Sequence, residues 1–218
     1  MTLIQRQPRP LARDAASLRD DRLFIVACDD TCAPKQYFDF FRLPRVQVHV
    51  FGTPDGRCAA SDVLGRLLGI DHEEYDELWM LLDTDHYVEG PHLAGFIAAL
   101  NEAGRQRVNV ALSRPSFEFW LLLHHVEENA LGVLTVAKDV EEALRNKLGE
   151  YNKTNLKQEH YPLKCVRDAC VRAERLDGSV AGGDIPQGNT TRVYRLWKAI
   201  AAKALPQQFP PELRRLLR

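Results

Sequence analysis

Apolar positions follow two alternating rhythms along the chain. LFIVAC (23–28), VQVHVFG (46–52), ELWMLLDTD (77–85) and VNVALS (108–113) are short, continuous or β-branched runs of strand length. Between them the spacing changes to that of helices. PKQYFDFFRL follows the strand-like run at 23–28, with Pro34 placed where a helix tolerates proline. Ser61 and Asp62 are suited to start a short helix through about Ile70. HLAGFIAALNEAG (92–104) and the very apolar SFEFWLLLHH (116–125) read as two more.

Strands alternating with helices predict an α/β fold: a parallel, Rossmann-like sheet with helices on both faces. In such sheets ligands collect beyond the carboxyl ends of the strands. Those ends are Asp29–Asp30, Gly52–Thr53, Asp83–Asp85 and Ser113–Arg114. After about residue 130 the pattern becomes purely helical, at 136–151, 165–176 and 191–204, with a short prolyl-led segment PPELRRLLR at the end. The expected organisation is an arm over 1–22, an α/β core over 23–130 and a helical extension over 131–218. The Gly-rich stretch DGSVAGGDIPQGN (177–189) lacks P-loop spacing and reads as a plain loop.

Composition adds two constraints. Hydrophobic residues make up 45% and charged residues 27%, an ordinary globular balance, and no apolar run is long enough to span a bilayer. With no signal-like stretch, the chain is expected to be cytoplasmic. Five cysteines at spacings that match no zinc pattern are expected to be reduced thiols. The net charge of −1 conceals a split: residues 1–142 carry 14 Lys and Arg against 23 Asp and Glu, and residues 143–218 carry 15 against 7. An acidic first part suits a cation and a basic second part suits a polyanion; scattered solvated charge is the bland alternative.

The acidic residues have chemistry written into their spacing. Asp83 and Asp85 stand two apart, so an extended strand turns both carboxylates to one face. At 4 Å two such charges repel by about 4 kcal/mol at an effective dielectric of ~20. A cation, a shared proton or a basic partner must offset that. Mg²⁺, which prefers oxygen ligands, fits the demand. The competing reading makes Asp85 a turn cap and leaves Asp83 in water. Asp29 and Asp30, directly after a strand, are turn or cap residues on one reading and site carboxylates on the other. Glu118 sits in FEFWLLL with large apolar neighbours on every side. A carboxylate there is costly to bury unless it is paired or near a metal, or unless it draws on the helix dipole in the first turn. His124 and His125 read as structural.

Three segments together resemble the RloB family of bacterial anti-phage and restriction-associated proteins, which has the Toprim fold. They are IVACDDTCAPKQYFDFF, LDTDHY and LSRPSFEFWLLLHH, the last similar to that family's long SNPxFExWLLLHF motif. Weaker echoes follow in YNKTN and NTTRVYRLWKAI. The chain departs from the pattern in several places. Asp29 stands where Toprim enzymes carry Glu, Asp30 replaces a Gly, Thr31 and Pro34 replace further loop acids, and Arg114 replaces the Asn of SNP.

The resemblance implies a Toprim-like core and Mg²⁺-dependent (or Mn²⁺-dependent) phosphodiester chemistry on nucleic acid, either RNA such as tRNA, or DNA. It also implies an ABC-type or AAA-type ATPase partner. On that basis Asp83 and Asp85 are expected to bind the metal, with Glu118 as a further ligand or as a catalytic carboxylate supporting it. Asp29 would handle the proton, and Arg114 would clamp a phosphate oxygen. Lys153, Lys157, Arg192 and Arg195 are the candidates for tracking a nucleic-acid backbone. A catalytically degenerate module that binds nucleic acid or nucleotide and regulates an ATPase is the alternative, favoured by the shorter Asp29. Self-association is left open.

Overall fold

The computed structural model describes residues 22–53, 56–84, 90–204 and 210–217. The expected N-terminal arm and Asp85 lie outside the described residues, apart from Arg22 at the arm's end.

A five-stranded sheet organises the chain in the order β2-β1-β3-β4-β5. Strands β1 (Arg22–Cys28), β2 (Val46–Phe51), β3 (Glu77–Asp83) and β4 (Asn109–Arg114) are parallel. The helices joining them are α1 (Ala33–Asp39), α2 (Ala60–Leu68) and α3 (His92–Arg105), and α4 (Phe117–Leu122) follows β4. These elements sit where the hydrophobic rhythm predicts them.

The strand residues sort by parity, as a pleat requires. Phe24, Val26, Cys28, Trp79 and Leu81 face a core shared with α1 and α4. Leu23, Ile25, Ala27, Leu78, Met80 and Leu82 face a second core with α2 and α3. Both faces of the sheet are therefore covered, which explains why β1 and β3 read as continuous apolar runs.

The segment after residue 130 does not form a core of its own. It supplies α5 (Ala137–Leu148), α6 (Leu163–Ser179) and α7 (Val193–Lys203), and Val140, Val166, Leu196 and Trp197 pack into the same core as Phe24 and Trp120. It also supplies β5 (Thr190–Thr191), which the helical reading of 191–204 did not anticipate. This strand pairs antiparallel with Ser113 and Arg114 and covers the edge of β4. With only two residues, β5 is too short to show any periodicity. The final segment forms a 3-10 helix over Pro211–Leu217.

The connections create a switch point. The chain leaves β1 toward β2 through α1, on one face, and leaves β3 toward β4 through α3, on the other. The carboxyl ends of β1 and β3 lie side by side while their connections diverge, and this is where an open α/β sheet forms a crevice.

Candidate acidic site

Asp30 follows β1 and Asp83 ends β3, so both border the crevice. Parity decides which side chains meet there. Asp83 shares the face of Trp79 and Leu81, and Asp30 continues the face of Phe24, Val26 and Cys28. That is the α4 side of the sheet, and Glu118 enters from the first turn of α4. Asp30, Asp83 and Glu118 each offer a carboxylate oxygen, all lying within 4.8 Å of one another.

Asp29 has the opposite parity and a different task. Its Oδ2 accepts the backbone N–H of Asp83 at 2.8 Å, tying the end of β1 to the end of β3. The Asp30 carboxylate does two things at once. Oδ1 accepts the N–H groups of Cys32 and Ala33, at 2.6 and 3.2 Å, fixing the entry to α1. Oδ2 stands 2.7 Å from the Lys153 ammonium.

Glu118 is fully buried. Its Oε1 accepts the Tyr151 hydroxyl at 3.0 Å and lies 3.6 Å from Lys153 Nζ. Burial first, then the charge of Glu118, hold the Tyr151 phenol far above its ordinary range, so it remains a donor. Glu118 Oε2 has no hydrogen-bond partner among the described residues. Ser116 Oγ at the N-cap of α4 and Thr84 Oγ1 just beyond β3 are likewise buried without one. A buried carboxylate oxygen with nothing to accept is costly and rare.

Asp30, Asp83 and Glu118 bring oxygen donors together beside the Lys153 ammonium. Such donors suit a hard divalent cation, and the unpartnered Glu118 Oε2 provides a coordinating atom. The residues present therefore fit Mg²⁺ or Mn²⁺, which Asp30, Asp83 and Glu118 would hold.

Lys153 stays charged beside them. Burial disfavours its ammonium, but Glu118, Asp30 and Asp83 outweigh that and raise its pKa. Beneath the cluster, Cys28 Sγ points at the carbonyls of Asp30 and Phe51, at 3.1 and 3.2 Å. Burial, then the charges of Asp29, Asp30 and Asp83, push this thiol well above its ordinary value, so it is no thiolate nucleophile. All five cysteines are free.

The remaining expected site residues lie in other settings. Arg114 Nη1 donates to the Pro186 carbonyl at 2.9 Å and so secures the Gly-rich loop. Arg192 holds the same loop: its guanidinium donates to Asp177 Oδ1 at 2.9 Å, to the Asp184 carbonyl at 2.7 Å and to the Gly183 carbonyl. Arg195 Nη2 pairs with Asp177 Oδ2 at 2.6 Å, and Lys157 pairs with Glu150. Lys153, a candidate for the nucleic-acid track, contacts the acidic cluster.

His124 is structural. Its Nδ1–H donates to the Trp120 carbonyl at 2.9 Å, which leaves Nε2 to accept the Tyr37 hydroxyl at 3.0 Å. Two contributors to the site were not singled out from sequence: Tyr151, and Gln36, whose side chain holds the Lys153 loop.

Fold and site together define a Rossmann-like α/β protein with a carboxylate cluster at its switch point. A family model described as RloB-like protein matches residues 24–200, and the chain belongs to that family. No curated protein and no solved structure matches it significantly. Among the described residues, no helix is long and apolar enough to cross a membrane.

Proposed function

We propose that the chain is a Mg²⁺-dependent, Toprim-type nuclease, acting on RNA such as tRNA, or on DNA, as the effector of a restriction-associated anti-phage system with an ATPase partner. The observation that supports this best is the meeting of Asp30, Asp83 and Glu118 at the switch point, with Glu118 Oε2 buried and unpartnered. Bound there, the metal would polarise a scissile phosphate and stabilise the leaving oxygen.

The chain's own residues set up that chemistry. Asp83 and Glu118 hold the cation, and Tyr151 fixes the orientation of the Glu118 carboxylate. Asp30 is oriented by two backbone N–H groups. Asp29 holds the β1 and β3 ends in register. With Asp29 engaged in this way, Glu118 and Asp30 are the carboxylates best placed to handle a proton.

A second reading is a nucleic-acid-binding module that regulates an ATPase without cutting. It is favoured by Asp29, whose carboxylate is engaged with the Asp83 backbone. Cleavage of labelled RNA and DNA with Mg²⁺ or Mn²⁺ separates the two. Metal-dependent products that vanish in Asp83→Asn support the nuclease. Binding without products supports the module.

A further inference from the structure

Lys153 comes from a loop between α5 and α6, and that loop is clamped. Gln36 on α1 donates through Nε2 to the Lys153 carbonyl at 3.0 Å and to the Cys32 carbonyl at 3.2 Å. Its Oε1 accepts the Leu156 N–H at 2.9 Å. One amide thus grips the loop on both sides of Thr154 and Asn155, which themselves turn on Asn152 Oδ1 and the Asn152 carbonyl. Tyr151 pins the same loop to Glu118. The backbone is fixed, while the lysine side chain is 42% exposed and has a flexible stem.

Its ammonium sits on two of the three carboxylates that suit a divalent cation, at 2.7 Å from Asp30 Oδ2 and 3.6 Å from Glu118 Oε1, beside the unpartnered Oε2. Two cations drawing on the same carboxylates repel each other, and only one of them is covalently tethered.

We propose that Lys153 is a built-in competitor for the metal: its ammonium holds Asp30 and Glu118 until a divalent cation takes their oxygens, and it then swings toward solvent. This rests on the metal-dependent reading above. The tether sets the metal concentration at which the site fills, and Gln36 is the positioning residue that keeps the tether within reach.

The test is calorimetric titration of Mn²⁺ into the wild-type chain, Lys153→Met, Lys153→Arg and Gln36→Ala, with no nucleic acid present. Lys153→Met is expected to bind Mn²⁺ roughly tenfold or more tightly than wild type, because the competing charge is gone. Lys153→Arg keeps the charge and stays near wild type. Gln36→Ala keeps the lysine but frees its loop, and shifts affinity the same way as Lys153→Met by a few-fold. That variant also carries the test if Lys153→Met does not fold.

Equal or weaker binding by Lys153→Met would overturn the exchange while leaving the metal site standing; for an unfolded Lys153→Met, unchanged affinity in Gln36→Ala does the same. Absence of Mn²⁺ binding by every variant and by wild type would remove the metal-dependent reading and the exchange together.

Discussion

The backbone N–H of Asp83 donates to Asp29 Oδ2 across 2.8 Å, while the Asp83 carboxylate lies on the other side with Asp30 and Glu118. Two neighbouring aspartates therefore have separable roles. Asp29→Ala loses a hydrogen bond to a charged acceptor and is expected to cost about 1.5–3 kcal/mol of stability. Asp30→Ala is expected to weaken Mn²⁺ binding far more than Asp29→Ala does. Urea denaturation and calorimetry on both variants check this, and the reverse ranking in metal affinity would refute the division.

Glu118→Gln preserves an oxygen for the Tyr151 hydroxyl, so the fold is expected to survive, with an unchanged circular dichroism spectrum. The charge is lost, and any metal-dependent cleavage is expected to fall by roughly 10²–10³. Undiminished cleavage would take Glu118 out of the chemistry.

His124 gives stability a pH dependence with a definite sign. Burial, with the charges of His125 and Arg172 adding to it, lowers its pKa to about 3 in the folded chain. Unfolded, it titrates near ~6.5. The unfolded chain therefore takes up a proton that the folded chain refuses, and stability falls as pH drops from about 6.5 toward 3. At pH 5 the loss from this residue is about 2 kcal/mol relative to pH 7. His125, lowered to about 4, acts in the same direction. His124→Gln retains a donor and an acceptor without titrating, so its denaturation midpoint should vary less across this range. Identical pH profiles would contradict the assignment.

Asp177 gathers Arg192, Tyr194 and Arg195, accepting at 2.9, 2.9 and 2.6 Å. Asp177→Ala leaves the largely buried Arg192 without its partner and is expected to cost roughly 3 kcal/mol. Arg192→Ala should likewise lower stability while leaving the salt slope of oligonucleotide binding unchanged, because its guanidinium is occupied internally. A reduced slope would return Arg192 to the nucleic-acid track.

The elements and the general location of the site were legible because they depend on local periodicity and on where strands end. The choice between Asp29 and Asp30 was legible in principle: counting from Phe24 by twos reaches Asp30, as counting from Trp79 by twos reaches Asp83. β5 was not legible, since two threonines leave no pattern. Lys153 read as one of several basic candidates for a nucleic-acid track. The Gln36 clamp, 117 positions away, and the Tyr151–Glu118 hydrogen bond bring it to the acids, and such long-range pairing leaves no trace in local spacing.

The shared core also constrains the order of synthesis. When residues 22–130 have left a ribosome, four strands exist, but the sheet face carrying Phe24, Val26 and Trp79 still lacks α5, α6 and α7, and β4 has an open edge. Tyr151, Lys153 and β5 all arrive afterwards. All three carboxylates are thus made before Tyr151 and Lys153, the two groups that later cover them.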